Sequence, residues 1–380
     1  MRILMTGHDG YVGAVMAPLL QAAGHEVVGL DTQYFDGCDF GDYAPQLRVI
    51  RCDIRDLTAA HLEGFDGVVH LAAVSNDPLG NLNPESTYEI NHRASMRLAA
   101  LAKAAGAQRF VYSSSCSVYG AASPEDVLDE SASFSPVTPY AKSKVLVEQD
   151  LGALADSKFS PVFMRNATVY GVSPRLRGDL VVNNLTGWAL TTGRVFMKSD
   201  GSPWRPLLHV LDMSRAFLAA LEAAREAVHN QAFNVGRPGE NYRIQQVAEI
   251  VRAQVPGSQI EFSRDAGPDP RCYRVSFDKL ARALPQLEMT WNVEQGVNEL
   301  IAAYRRWQLS EGDLEGGRYL RIKTISQHIA AGRLGEDLRW TRASSTALPS
   351  STAVPSSTAV PSSTAVPSST AVPSSTALPS

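Results

Sequence analysis

Arg2-Ile3-Leu4-Met5-Thr6-Gly7-His8-Asp9-Gly10-Tyr11-Val12-Gly13 begins apolar and runs directly into three evenly spaced glycines. Ile3, Leu4 and Met5 predict a short buried strand. The spacing of Val12, Val15, Met16, Leu19 and Leu20 predicts a helix that stops at Gly24. His25-Glu26-Val27-Val28-Gly29-Leu30-Asp31 then supplies a second strand ending in an acid. Strand, glycine turn, helix, strand and terminal acid make one βαβ unit. Glycine lets the backbone approach a pyrophosphate, and the helix N-terminus offers N–H groups and a positive dipole end. Asp31 can accept hydrogen bonds from adenosine ribose hydroxyls and repels a 2′-phosphate, so the unit predicts NAD rather than NADP. Pro18 falls inside the expected helix, where proline costs about 3 kcal/mol. It predicts a kink, or packing tight enough to tolerate the ring.

The chain has 380 residues, 44% of them hydrophobic and 19% charged. That suffices for a large core, in two domains or in one α/β domain with an appendage. A net charge of −4 without a Lys/Arg block argues against nucleic-acid binding. No apolar run approaches the roughly 18 residues of a membrane span. A strand beginning at residue 3 leaves no room for a signal peptide. Cys38, Cys52, Cys116 and Cys272 are scattered, without CxxC pairs. They argue against a metal site or a disulfide framework and fit a reducing cytoplasm.

Beyond Asp31, residues Thr32 to Pro45 read as a loop. Leu47 to Cys52 is a third strand, leading to Asp53-Ile54-Arg55-Asp56. Asp53 can receive an adenine amino group or cap the next helix, and Asp56 reads as a cap. Gly67 to Ala73 is a fourth strand whose small terminal residues admit a flat cofactor. Pro84 to Ala105 reads as one long helix carrying Asn91. Gln108 to Tyr112 is a fifth strand that delivers Ser113-Ser114-Ser115 to the carboxyl edge, where open parallel sheets bind ligands. A loop from Cys116 to Thr138 leads to a helix bearing Tyr140 and Lys144, followed by a strand at Pro161 to Met164.

The expected architecture is α/β: a Rossmann-type, doubly wound parallel sheet with a smaller α/β lobe. Residues 1–178, with 209–236 returning, form the nucleotide domain. Residues 179–208 and 237–330 form a substrate lobe. Residues 341–380 form a low-complexity tail in which, from Pro349, the unit Pro-Ser-Ser-Thr-Ala-Val repeats without charge or aromatic residues, and they predict disorder.

Tyr140 and Lys144 lie four apart and share one helix face. A free tyrosine, with a pKa of about 10, is a poor base at neutral pH. An adjacent ammonium, or a positively charged nicotinamide ring, favours the phenolate. Ser115 can hold the same substrate hydroxyl in line.

With these pieces together the chain resembles the extended short-chain dehydrogenase/reductase family, in its nucleotide-sugar epimerase/dehydratase branch. The matching motifs are Thr6-Gly7-x-x-Gly10-x-x-Gly13, Asp53-Ile54-Arg55-Asp56, His70-Leu71-Ala72-Ala73, Ser113 to Gly120, Tyr140-x-x-x-Lys144, Arg165 to Gly171 and Gly201 to Asp212. They run in order over residues 1 to about 310. The resemblance implies Ser115, Tyr140 and Lys144 as catalytic residues. It also implies an NAD site built from Gly7, Gly10, Tyr11, Val12, Gly13, Asp31, Asp53, Ile54, Leu71, Ala72, Ala73, Asn91, Tyr140 and Lys144. Arg205 and Arg271 look like the arginines that clamp a substrate diphosphate, and Asn183 or Asn184 like the asparagine near the phosphates. His8 and His209 read as structural. The resemblance also implies a homodimer through the Tyr140 helix, where Val145, Leu146 and Leu151 can serve either the interface or the core.

Within that branch, 4,6-dehydratases resemble one another in an Asp-Glu pair after the serine, and 3,5-epimerases in a cysteine at the second of those positions. Cys116-Ser117 matches neither, whereas a 4-epimerase tolerates a small hydroxyl residue at 117. The expected activity is therefore nucleotide-diphosphate-sugar epimerisation at C4 through a keto-sugar. The alternatives are a dehydratase, a net dehydrogenase or reductase, and a non-catalytic dinucleotide sensor. Cys116 reads as a packed small residue.

Overall fold

The computed structural model describes residues 1–123, 125–267 and 271–341. Seven strands form one parallel sheet: β1 (Arg2–Thr6), β2 (Glu26–Asp31), β3 (Arg48–Arg51), β4 (Gly67–His70), β5 (Arg109–Ser115), β7 (Ser160–Asn166) and β11 (Gln231–Val235). Their order is β11-β7-β5-β4-β1-β2-β3, so the winding reverses at β1. Leu4 pairs with Val28 on one side and with Val68 on the other. Both faces of the sheet are covered, so its strands are apolar without polar alternation. Ile3, Met5, Val69, Val111 and Val162 pack with Met16 and Leu20 of helix Gly13–Ala22 and with Phe217 of helix Val210–Glu222. Leu4, Val68, Phe110 and Phe163 pack on the other face with Leu98 of helix Ala94–Ala104 and with Val147 and Leu151 of helix Pro139–Gly152.

The first helix runs through Pro18 as one element. Pro18 faces solvent while Met16, Ala17 and Leu20 are buried beneath it, which is the tolerant packing of the two expectations. The expected helix Pro84 to Ala105 divides into helix Pro84–Tyr88, a π-helical turn at Glu89–Arg93 and helix Ala94–Ala104. A π-turn inserts a residue and re-aims the side chains around it. Here it carries Asn91.

The remaining strands are short. β8 (Thr168–Tyr170), β10 (Trp204–His209) and β12 (Asn241–Arg243) form one sheet, β9 (Arg194–Ser199) pairs with β13 (Gln259–Gly267), and β6 (Val127–Leu128) with β14 (Arg274–Val275). Helices Val181–Thr192, Ile244–Gln254 and Val293–Arg306 pack Val182, Leu185, Val247, Val251, Val297 and Leu300 into a separate core. That core is the lobe.

One boundary departs from the expectation. Helix Arg321–Ala330 and the turn after it send Ile325, Leu334 and Leu338 into the core of Leu4, Leu30 and Ile54. Residues near 330 therefore pack on the sheet, because their apolar face matches the face that β2 and β3 leave open. The disordered tail is expected over residues 341–380; Thr341 is described, its N–H donating to the Arg333 carbonyl, and the rest of the tail lies outside the described residues. Val145 and Leu151 are core residues and Leu146 is exposed.

Candidate active site

A cavity of about 1060 Å3 opens along the carboxyl ends of the strands where the winding reverses. Its wall takes Gly7, Gly10, Tyr11, Val12 and Gly13 from the first turn, Asp31 after β2, and Asp53 and Ile54 after β3. Leu71, Ala72 and Ala73 follow from the end of β4. Gly7 has φ +76°, and a Cβ there would lie 2.7 Å from the Ala72 nitrogen. A Cβ on Gly13 would collide with the Gly7 carbonyl and the His8 backbone. Backbone thus lies against backbone around the turn. Helix Gly13–Ala22 starts with no side-chain cap at Val12 and no acid in its first turn, so its positive dipole end is left to an anion. These residues fit a dinucleotide. Gly13→Ala is expected to weaken NAD binding by roughly 10- to 100-fold, read by titration calorimetry, with the melting temperature reporting on folding.

The Asp31 carboxylate accepts the Asp9 N–H at 3.2 Å and the Gln33 N–H at 2.8 Å. Asp53 takes the capping role, accepting the Arg55 N–H at 2.9 Å and gripping the Arg55 guanidinium at 2.6 Å, while remaining in the cavity wall. Asp56 does not cap. It pairs with Arg339 at 2.7 Å, because the next helical turn takes Thr58 as its cap.

Two expected ligand residues lie behind the wall instead of in it. Asn91 is buried and clamps Val74, its amide oxygen accepting the Val74 N–H at 2.7 Å and its nitrogen donating to the Val74 carbonyl at 3.0 Å. It supports the wall through that backbone. Asn183 is also buried, accepting the Gly171 N–H at 3.0 Å and donating to the Arg177 carbonyl at 3.1 Å. Neighbouring residues on a helix point about 100° apart, and it is Asn184 that faces the cavity.

β5 carries Ser115 to the cavity, and helix Pro139–Gly152 brings Tyr140 and Lys144 beside it. Thr138 caps that helix, accepting the Ala141 N–H at 3.2 Å, and Pro139 holds its first position. Lys144 Nζ donates to the Ser113 carbonyl at 2.7 Å and lies 5.6 Å from the Tyr140 ring centre. Burial pushes the Tyr140 hydroxyl up to about 12, against a hydrogen bond from Ser115 that lowers it. Burial pulls Lys144 down to about 7, with Glu148 resisting. The expected depression of Tyr140 by Lys144 is therefore not present in the cavity itself: desolvation dominates the Tyr140 shift, and the Lys144 ammonium donates instead to the Ser113 carbonyl.

Cys116 points away from the cavity, fully buried, its thiol donating to the Arg165 carbonyl at 3.1 Å. Burial raises its pKa, so it is an unreactive packing residue. Ser117 faces the cavity, and its buried hydroxyl has no hydrogen-bond partner among the described residues. Arg205 and Arg271 lie in the opposite wall, where Arg205 donates to the Arg271 carbonyl and Arg271 pairs with Asp77. His8 packs against Gly29, where a Cβ would strike its ring. His209 caps helix Val210–Glu222, stacks on Trp291 at 4.0 Å and meets Glu299 at 2.9 Å. Both histidines are structural.

The cavity also holds Arg177, Asp179 and Arg321, which sequence reasoning missed. Arg177 grips Asp179 at 2.8 Å. The available signal was Leu320-Arg321-Ile322-Lys323-Thr324-Ile325, a helix start with two cations where acids are usual. No described helix is long and apolar enough to cross a membrane.

The model of the NAD dependent epimerase/dehydratase family matches residues 3–236. A UDP-glucose 4-epimerase of Corynebacterium glutamicum is 28% identical over 302 residues, covering 75% of this chain and 90% of that protein. UDP-glucuronic acid decarboxylase 1 of Arabidopsis thaliana is 25% identical over 334 residues, covering 83% and 72%. The solved structure of MoeE5 in complex with UDP-glucose and NAD is 26% identical, with a TM-score of 0.68 over 80% of this chain and 99% of that one.

Proposed function

Because this chain belongs to the NAD-dependent epimerase/dehydratase family, we propose that it is a nucleotide-diphosphate-sugar 4-epimerase with Ser115, Tyr140 and Lys144 at its reacting centre. The observation that carries this reading is the floor beside Ser115. Ser117 presents a hydroxyl there and Cys116 turns away, so the two positions after the serine offer no carboxyl to protonate a leaving hydroxyl. Asp77 is the carboxylate near Tyr140, and it is engaged by Arg271 and by Thr138 at 2.6 Å.

Gly7, Gly10 and Gly13, with Asp31 placed for the ribose, would hold NAD, which when bound would supply a reversible hydride acceptor for the sugar C4. Tyr140 Oη takes the proton of the sugar 4-hydroxyl and gives it back after the keto-sugar has turned. Ser115 holds that hydroxyl in line, and Lys144 supports charge on Tyr140. Arg205, Arg271 and Asn184 anchor the diphosphate, so the sugar turns about a fixed point. General acid–base action of this kind contributes about 10² to 10⁴ in rate. The four free thiols suit a reducing, cytoplasmic setting. Exposed Leu146 on the Tyr140 helix fits a homodimer contact.

The test is a panel of nucleotide-diphosphate hexoses, beginning with UDP-glucose and UDP-glucuronic acid, incubated without added cofactor and resolved by chromatography and mass. The expected product is an isomer of unchanged mass. A product lighter by one water makes the enzyme a dehydratase. Turnover only with stoichiometric cofactor makes it a dehydrogenase or reductase.

A further inference from the structure

Helix Arg321–Ala330 is charged in the wrong sense at its N-terminus. Arg321 occupies its first position and Lys323 its third, with no acid in the first turn and no side-chain cap at Leu320. Cations belong at the other end of a helix dipole, so this terminus repels its own side chains unless an anion joins them. The terminus opens into the cavity, whose wall includes Leu320, Arg321, Ile322 and Lys323.

Arg321 is 2% exposed. Its Nη2 donates to the Arg175 carbonyl at 2.9 Å, and its guanidinium lies 3.9 Å from the centre of the Phe35 ring. Its Nη1 is buried and has no hydrogen-bond partner among the described residues. The nearby carboxylate, Asp179, is already gripped by Arg177 through both oxygens. A buried guanidinium keeps its charge only beside a partner, and burial here already pulls Arg321 down to about 10.

The chain after this helix fastens it over the adenosine end. The Trp340 indole donates to the Thr32 carbonyl at 2.8 Å, and Tyr34 donates to the Leu338 carbonyl. Arg55 donates to the Asp337 carbonyl at 2.7 Å. Thr32 and Tyr34 directly follow Asp31, and Arg55 grips Asp53. Phe35, against which Arg321 packs, also accepts from Arg175, which pairs with Asp9 of the glycine turn at 2.7 Å. The sugar-side arginines, Arg205 and Arg271, enter from the lobe.

We propose that the segment from Leu320 to Thr341 is a clasp over the dinucleotide site, and that Arg321 is its binding residue for the dinucleotide's diphosphate. The proposal rests on the NAD reading of the cavity. It reaches beyond it in giving the retention of NAD to residues that the family model does not span. A guanidinium fork can take two phosphate oxygens at once, and the helix amides behind it add to the same charge.

The experiment uses the full chain as wild type, Arg321→Gln, Arg321→Lys and Trp340→Phe. Each is loaded with isotopically labelled NAD and chased with unlabelled NAD, and release is followed over time. Affinity for UDP is measured in parallel, as a probe of the sugar-nucleotide diphosphate site. Arg321→Gln is expected to speed NAD release by roughly 10- to 100-fold, the worth of a hydrogen bond to a charged group. Arg321→Lys should fall between it and the wild type. Trp340→Phe should speed release by opening the latch. UDP affinity should stay the same throughout. If Arg321→Gln does not fold, the lysine variant carries the test, since it keeps the charge and loses the fork. Equal NAD release from all four proteins overturns the proposal, and so does a loss confined to UDP. A wild type that binds no NAD overturns the reading of the cavity along with it.

Discussion

Tyr140→Phe is expected to lower kcat about 10³-fold, within the range that general acid–base catalysis contributes, while leaving bound NAD in place. The variant removes one oxygen and keeps the ring. The base of that side chain is closely packed, since a Cβ on Gly80 would lie 3.2 Å from the Tyr140 Cβ. Phenylalanine therefore fits without rearrangement, and a lost rate reports on proton transfer. The pH profile supplies the second reading. Proton removal needs the phenolate, so the wild-type rate should climb with pH until it passes the Tyr140 pKa. Burial has raised that pKa to about 12, and any positive charge brought near Oη moves the rising limb to lower pH. In Tyr140→Phe the limb should vanish. Steady-state kinetics from acid to alkaline pH, with NAD content measured after denaturation, decide it. Wild-type turnover by the variant would remove Tyr140 from the reaction and favour the sensor reading.

How far the sequence spoke depended on the range over which each feature is built. The glycine turn is contiguous: the positive φ of Gly7 and the crowding at Gly13 arise among residues a few positions apart, so the spacing of the glycines carried the message. Tyr140 and Lys144 were equally legible, because four residues on a helix define one face. The choice between Asn183 and Asn184 was not. Which of two neighbours meets the cavity depends on how helix Val181–Thr192 docks on the sheet, and no local pattern records that. The π-turn at Glu89–Arg93 was hidden for a related reason. Its apolar spacing suits an ordinary helix, and only the clamp from Asn91 to Val74 reveals the shifted register. Tyr140's raised pKa was missed because the opposing effect, burial, is tertiary. Arg321 lies farthest out of reach, since it returns to Phe35, just past the first βαβ unit, from nearly three hundred residues away.

The same catalytic helix carries the largest expected effect on stability. One turn after Lys144, Glu148 meets Arg165 of β7 at 2.7 Å, and both side chains are 6% exposed. Glu148 also accepts from Ser114 of β5, and Arg165 lies 4.8 Å from the Phe134 ring centre. Burial works against the charge on Arg165, but the hydrogen bonds it donates to Glu148, the Glu148 charge and Tyr119 together exceed that cost and hold the guanidinium more firmly protonated than usual. Removing one partner strands the other charge away from water. Glu148→Ala is therefore expected to destabilise the fold by about 3–5 kcal/mol, read by chemical denaturation. The double variant Glu148→Met with Arg165→Met should recover most of that loss, because an apolar pair of similar volume avoids the desolvation cost. A double variant as unstable as the single one would mean that Ser114, Tyr119 and the Glu130 carbonyl, which also bond to this pair, hold the structure through it. Recovery of stability without recovery of activity would separate two roles of Glu148. It neutralises Arg165 for the fold, and it favours the charged form of Lys144, one turn away, for the chemistry.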